Sequence, residues 1–217
     1  NKLMKLKEGT SVTKILVIGD LIIDYYLNGY SERISPEAPV PIVRIESEDY
    51  LLGGAGNVVN NLKSMGSHVD IISVIGDCKN APILEKLLES IGVSSANLVL
   101  EYNRITTKKT RISASNQQIV RFDEETISDI SLKTQKMVLK LFSDICTAYD
   151  LVILSDYNKG LLQDDVCSKI IEIAKQNALK VLVDPKGEDF SKYKGAFLIT
   201  PNRFEVAKAT GIQIKDA

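Results

Sequence analysis

The sequence has no tryptophan, one histidine and three cysteines among its 217 residues. A single histidine, His68, excludes a His-based triad or a metal site with several histidine ligands, and its place just after Gly66 favours an exposed position. The cysteines are odd in number, scattered and without Cys-x-x-Cys spacing, so we expect neither a disulfide framework nor a zinc site. They indicate reduced thiols in a cytoplasmic protein.

An excess of one charge and a long apolar run are also missing. Lys and Arg number 27 against 28 Asp and Glu, giving a net charge of −1. This balance offers no basic surface for nucleic acid and no cationic helix for a membrane surface. No apolar run approaches the length of a membrane span. With 44% hydrophobic residues, the chain can nevertheless bury one sizeable core.

Short apolar runs alternate with amphipathic helical patterns. Strands are expected at 14–20, 69–77, 97–100, 151–156, 180–184 and 196–200. Continuous apolar strands separated by helices predict an α/β fold with a parallel sheet. Asp156, Asp184 and Thr200 end three of these strands, and open α/β sheets bind ligands at that edge. Asp20 and Asp24 follow the first strand, where each can contact a ligand, cap a helix or brace a turn.

Two segments interrupt the alternation. Residues 25–50 contain two short strands around a stretch with three prolines, which predicts a small β-ribbon that packs on the cleft or on a second subunit. Residues 106–112 and 117–123 form a hairpin in which Lys109 and Arg111 share one face. Taken alone, this cationic strand is read first as a solvated sheet edge.

A glycine-rich stretch leads into a helix whose apolar residues include Met65. Gly53 and Gly54 allow close approach of a ligand to the backbone, and Asn57 adds a side chain that donates and accepts hydrogen bonds. The helix start offers unpaired N–H groups. The pattern suits a hydroxyl-rich ligand, although the glycines alone favour a loop before an ordinary packed helix.

Together these segments resemble the ribokinase (PfkB) family of sugar kinases, and within it the D-glycero-β-D-manno-heptose-7-phosphate kinases. The matching segments, in chain order, are VIGD at 17–20 through Asp24, RISPEAPVP at 33–41, GGAGN at 53–57, KTR at 109–111, NQQ at 116–118 with Arg121, SDYNKG at 155–160, DPKG at 184–187, and TPN at 200–202 with Glu205. The RISPEAPVP and NQQ segments point to the heptose kinases, and the resemblance covers essentially the whole chain.

The resemblance implies a ribokinase-like three-layer sandwich with a mainly parallel sheet and a β-lid at 25–50 that commonly pairs in a homodimer. Residues 1–217 would form part of one kinase domain. Its reaction would use ATP and Mg²⁺ to phosphorylate D-glycero-β-D-manno-heptose 7-phosphate at the anomeric hydroxyl. The 1,7-bisphosphate product would lead to ADP-heptose for lipopolysaccharide.

On the sugar side, the resemblance assigns hydroxyl contacts to Asp24, Asn57 and the Gly53–Gly54 backbone. Lys109 and Arg111, with Arg121 as a further candidate, would clamp the 7-phosphate. That phosphate would be the anion that two neighbouring cations require, since Arg binds phosphate in a bidentate manner.

On the nucleotide side, Asn202 and Glu205 match the NxxE motif near the ATP phosphates and Mg²⁺. Glu205 would act through metal-bound water, because Mg²⁺ usually keeps several waters. Asn202 can serve at the same time as a helix N-cap. Lys186 and Lys159 are candidates for contacts with the transferred phosphate, and Lys186 is preferred because it directly follows a strand.

One departure from the family pattern affects the expected activity. The sequence contains no GAGD segment, which in the family supplies the anion hole and the Asp that acts as the catalytic base. We therefore expect no catalytic residue in this chain, and we read it as the amino-terminal part of a kinase domain. The alternatives are a kinase for another phosphorylated sugar and a non-catalytic module that dimerises through the ribbon.

Overall fold

A computed structural model describes residues 12–115 and 117–212. The strands are β1 Lys14–Gly19, β2 Leu21–Ile34, β3 Pro41–Gly54, β4 His68–Gly76, β5 Leu98–Glu101, β6 Lys108–Ala114, β7 Gln117–Glu124, β8 Leu151–Ser155, β9 Lys180–Asp184 and β10 Leu198–Ile199. The helices are α1 Ala55–Ser64, α2 Ala81–Ser90, α3 Leu132–Ile145, α4 Asp164–Gln176 and α5 Arg203–Thr210. Asn116, part of the predicted hairpin turn, lies outside the described residues.

The main sheet has six parallel strands in the order β10-β9-β8-β1-β4-β5. Strand β1 is buried on both faces because its apolar residues alternate between two cores. Leu16 and Ile18 pack in a cluster with residues of α3 and α4, whereas Ile15 and Val17 pack with residues of α1 and α2. The predicted three-layer α/β architecture is thus confirmed.

A second sheet, the lid sheet, has the strand order β3-β2-β6-β7. Strands β2 and β3 are antiparallel, and their ladder begins where Leu21 pairs with Gly54. The predicted short strands within 25–50 were therefore wrong in length. The ladder starts earlier because the residues at its base, Leu21 to Ile23, are apolar and buried against the main domain. The hairpin of β6 and β7 joins the same sheet by parallel pairing of β6 with β2.

The predicted glycine-rich loop does not exist as a loop. Strand β3 runs to Gly54 and α1 begins at the next residue. Gly54 has a φ of 57°, and a Cβ there would lie 2.4 Å from the carbonyl oxygen of Asp20, so only glycine fits. The first helical N–H, from Ala55, donates to that same carbonyl at 3.0 Å and is not unpaired. Met65 follows the helix and is 74% exposed, contrary to its predicted place on the packed face.

The remaining elements agree closely with the sequence, apart from β10, which is shorter than predicted because only two of its residues pair with β9. His68 is exposed, with its Nε2 3.2 Å from a carboxylate oxygen of Asp70. Cys78, Cys146 and Cys167 are free thiols. In the part of the chain that the structure describes, no helix combines the length and apolarity needed to cross a membrane.

Candidate functional site

Asp20 braces the carboxyl edge of the main sheet. Its Oδ2 accepts hydrogen bonds from the backbone N–H groups of Tyr157 at 3.0 Å and Lys159 at 3.2 Å, both in the loop after β8. Only 5% of the residue is exposed. Burial raises the pKa of its carboxyl, although the hydrogen bond from Tyr157 opposes that rise. Of the three roles that the sequence leaves open for Asp20, these hydrogen bonds correspond to the turn contact.

A second buried carboxylate, that of Asp156, ties neighbouring loops together. Its Oδ1 accepts from the N–H of Asn158 at 2.7 Å, which supports the positive φ of 55° at that residue. Its Oδ2 accepts from Lys192 Nζ and from the Tyr193 hydroxyl, each at 2.6 Å. The Tyr193 hydroxyl in turn accepts from the N–H of Lys186 at 3.3 Å. The loops after β8 and β9 are thereby held in a fixed relation.

The predicted cationic strand lies inside the lid sheet, one strand from its edge. Arg111 Nη1 lies 2.5 Å from Oδ1 of Asp24 on the neighbouring strand β2. Burial works against the charge of Arg111, but the hydrogen bond that Arg111 donates to Asp24, together with the negative charge of that carboxylate, raises the pKa of the guanidinium overall. Arg121 lies opposite Arg111 on β7 and pairs with Asp123 at 3.2 Å. Among the described residues, none forms an ion pair with Lys109.

The sugar-side candidates gather where the lid sheet meets α1. A Cβ built on Gly53 would lie 2.2 Å from Oδ2 of Asp24, so the carboxylate rests directly against the glycine backbone. Asn57 is exposed in the first turn of α1. The structure therefore brings Asp24 and Gly53 into contact, and it places Asn57 near the same strand-to-helix junction.

Two of the nucleotide-side candidates, Asn202 and Glu205, lie at the start of α5. The Asn202 side chain accepts from the N–H of Glu205 at 3.0 Å, and Glu205 Oε2 accepts from the N–H of Asn202 at 2.8 Å, which is a capping box. The predicted N-cap role of Asn202 is confirmed. The other oxygen of Glu205 accepts from Lys186 Nζ at 3.0 Å. In residues 12–115 and 117–212, no cluster of three or more His, Cys, Asp or Glu is suited to holding a metal ion.

A cleft of about 490 Å³ opens beside this helix start. Its lining includes Lys159, Lys186 and Lys208, whose ammonium groups pair with Glu125, Glu205 and Glu188 respectively. Asn202 and Glu205 line it as well. The lysines could bind an anion by exchanging their carboxylate partners for phosphate oxygens.

Tyr157 lies in this cleft and is influenced by the charge of Asp24 in the sugar-side group. It lines the cleft, and burial raises the pKa of its hydroxyl, with further increases from the charges of Asp184, Asp24 and Glu205. Those carboxylates come from β9, the lid sheet and α5 in turn. The Tyr157 side chain is thus within electrostatic reach of both candidate groups.

The motif at 155–160 includes Tyr157, but the sequence predicts no role for it. No sequence pattern points to Lys192 or Tyr193 as part of the site. The useful signal in the sequence is the polar residue that ends a strand, which points to Asp156 and Asp184. Burial raises the pKa of the Asp184 carboxyl, with a further increase from the charge of Glu205. Nothing in the local pattern of 191–193 marks a short 3₁₀ turn that supplies hydrogen-bond partners to Asp156.

Comparison with known proteins adds family evidence. Residues 12–217 match the family described as pfkB family carbohydrate kinase. The bifunctional protein HldE of Aliarcobacter butzleri is 52% identical over 202 residues, covering 93% of this chain and 42% of that protein. HldE of Syntrophotalea carbinolica is 44% identical over 216 residues, covering 100% of this chain and 43% of that protein. The chain spans less than half the length of these curated relatives.

Solved structures share the fold at low identity. Phosphofructokinase-2 from Escherichia coli, in a tetrameric inhibited form, superposes with a TM-score of 0.72 at 15% identity, covering 95% of this chain and 66% of that chain. Arabidopsis thaliana ribokinase, complexed with ribose and ATP, gives a TM-score of 0.63 at 14% identity, covering 93% and 64%. These likenesses support the ribokinase-like architecture.

The raised pKa of Asp20 predicts how the Asp20→Asn variant responds to pH. A carboxyl whose folded pKa exceeds its unfolded value of 3.8 contributes stability below that value, and the contribution is lost as pH rises through the folded pKa. Asn keeps the acceptor oxygen without the buried charge. Stability of the variant relative to wild type should therefore rise from about pH 4 to pH 7, as measured by urea unfolding. Parallel pH profiles for the two proteins would contradict this assignment.

Proposed function

Because the chain belongs to the pfkB family of carbohydrate kinases, we propose that it carries the sugar-phosphate side of a D-glycero-β-D-manno-heptose-7-phosphate kinase. The whole enzyme would transfer the γ-phosphoryl group of ATP to the anomeric hydroxyl and form the 1,7-bisphosphate for ADP-heptose synthesis in the cytoplasm. The observation that carries the proposal is the Lys109–Arg111 strand beside Asp24 and Gly53, in a chain 52% identical to an HldE protein.

The lid-sheet residues suit a phosphorylated sugar. Asp24 offers carboxylate oxygens to hydroxyl groups, and the lack of a side chain at Gly53 leaves room for that carboxylate against the backbone. Lys109 and Arg111 supply two positive charges on the same face, with Arg121 opposite Arg111 on the next strand. A dianionic phosphate would satisfy cations that otherwise repel one another.

The cleft beside α5 suits nucleotide phosphates. Lys159 and Lys186 provide charged donors there, and the helix start adds the positive end of its dipole. Mg²⁺ in such a site would be held chiefly by phosphate oxygens and water, with Glu205 as an outer partner, because the carboxylate of Glu205 is already bonded to Asn202 and Lys186. The chemistry of these side chains therefore fits ATP with Mg²⁺.

The lid sheet offers a surface for a homodimer. Val120 and Phe122 on β7 are 45% and 47% exposed. The strand register puts them on the face opposite Asp24 and Lys109, in line with Ile112 and Thr110.

We expect two copies of the chain to meet through this apolar face while the polar face binds substrate. Sedimentation equilibrium would detect the dimer as twice the 23.9 kDa chain mass.

Removing both cations tests the phosphate clamp. The double variant Lys109→Ala with Arg111→Ala should bind heptose 7-phosphate at least about tenfold more weakly than wild type, because two charge-assisted contacts are lost. Isothermal titration calorimetry measures this directly. A matched control is Lys136→Ala with Lys140→Ala, which removes the same charge from the exposed side of α3. Equal losses in both double variants would argue against a clamp at Lys109 and Arg111.

The 217 residues alone should bind the sugar phosphate without turning it over. They contain no GAGD segment to supply the base and the anion hole. A coupled assay for ADP release, with ATP, Mg²⁺ and heptose 7-phosphate, should give no rate above background. A rate that depends on both substrates would show that other residues of this chain supply the catalytic base.

A further inference from the structure

Two residues assigned to different parts of the substrate bind each other in this structure. Arg111, proposed to hold the phosphate, and Asp24, proposed to hold sugar hydroxyls, form an ion pair with 2.5 Å between Nη1 and Oδ1. They are 87 positions apart in sequence and meet because β6 pairs in parallel with β2. The inference below rests on the proposed function of this site.

The pair is partly enclosed. The Arg111 and Asp24 side chains are only 21% and 22% exposed. The Arg111 guanidinium carbon lies 5.2 Å from the centre of the Tyr26 ring, which covers one side of the charge. Asp24 Oδ2 rests against the Gly53 backbone on the other side. An ion pair shielded from water in this way is stronger than an exposed one, so separating it has a free-energy cost.

Lys109 differs from Arg111 in this respect. It lies directly across from Asp24 in the β2–β6 register, yet none of the described carboxylates forms an ion pair with it. The candidate phosphate site therefore contains one available cation and one that is already bound to the sugar-side carboxylate. Each of the two proposed subsites is incomplete while the Asp24–Arg111 pair is closed.

We propose that Asp24 and Arg111 form an ion-pair switch that makes recognition of sugar hydroxyls depend on a phosphate carried by the same sugar. The phosphate replaces Asp24 as the partner of Arg111, and the released carboxylate then accepts hydroxyl hydrogen bonds. An unphosphorylated sugar must break the pair and leaves Arg111 without an anion. An unphosphorylated sugar therefore binds more weakly for two reasons: the Asp24–Arg111 ion pair is lost, and no phosphate contacts Arg111 in its place.

The switch predicts that Asp24 weakens the binding of a free anion. In Asp24→Asn the guanidinium no longer has a charged competitor, so inorganic phosphate should bind about threefold or more tightly than to wild type. The matched control is Asp49→Asn, which removes the same charge from exposed Asp49 on β3, opposite Tyr26. That control should change phosphate affinity much less. Calorimetric titration of inorganic phosphate at fixed ionic strength measures all three proteins.

A second variant tests the ion-pair switch without changing Asp24. Arg111→Met retains the unbranched apolar stem, removes the charge and leaves Asp24 free. It should bind heptose 7-phosphate more weakly than wild type, but it should bind the unphosphorylated heptose at least as tightly. The double variant with Asp24→Asn and Arg111→Met should lose the gain in phosphate affinity.

The outcomes separate the switch from the function on which it rests. If Asp24→Asn and wild type bind phosphate equally, while Lys109→Ala with Arg111→Ala abolishes binding, the clamp stands and the switch is wrong. If Arg111→Met weakens both sugars alike, the switch is again wrong. If neither wild type nor any variant binds phosphate or heptose 7-phosphate, the proposed sugar-phosphate site itself fails, and the switch fails with it.

Discussion

The buried residue Asp20 holds together three parts of the structure that surround the candidate site. Its backbone N–H donates to the carbonyl of Ser155, its carbonyl accepts from Ala55, and its carboxylate accepts from Tyr157 and Lys159. The end of β1 is thereby fixed to the start of α1 and to the loop after β8. Because the lid sheet begins at the next residue, Leu21, the position of the lid sheet also depends on these hydrogen bonds of Asp20.

The structure contains two different electrostatic environments. In the lid sheet, cations and carboxylates lie on one polar face, where Arg111 and Asp24 neutralise each other. In the cleft beside α5, lysines are paired with glutamates at a helix start. Both candidate sites contain internal ion pairs, and under the proposed function a phosphate group would take the place of a carboxylate in them.

The sequence predicts the main sheet well because its signals are local. The apolar run of β1 indicates burial on both faces, and Asn202 before α5 indicates an N-cap; the structure confirms both. The lid sheet was harder to predict. Beyond Ile23 the strand β2 has many polar residues, and its length comes from pairing with β3 and β6, which no local pattern reveals.

The candidate site shows the same limit. The sequence predicts that Lys109 and Arg111 share a face, but it places Asp24 after the first strand, whereas Asp24 lies within β2. The contact between Asp24 and Arg111 depends on the register of two strands that are distant in sequence. The sequence could not indicate that burial and carboxylates of both groups raise the pKa of Tyr157, since the position of Tyr157 follows from the loop that Asp20 holds.

The most direct test of this account is a crystal structure of the chain with heptose 7-phosphate bound. We predict that the phosphate contacts Lys109 and Arg111, and that Asp24 has left Arg111 to accept hydrogen bonds from sugar hydroxyls. A sugar phosphate bound elsewhere, or bound with the Asp24–Arg111 pair still closed, would contradict it.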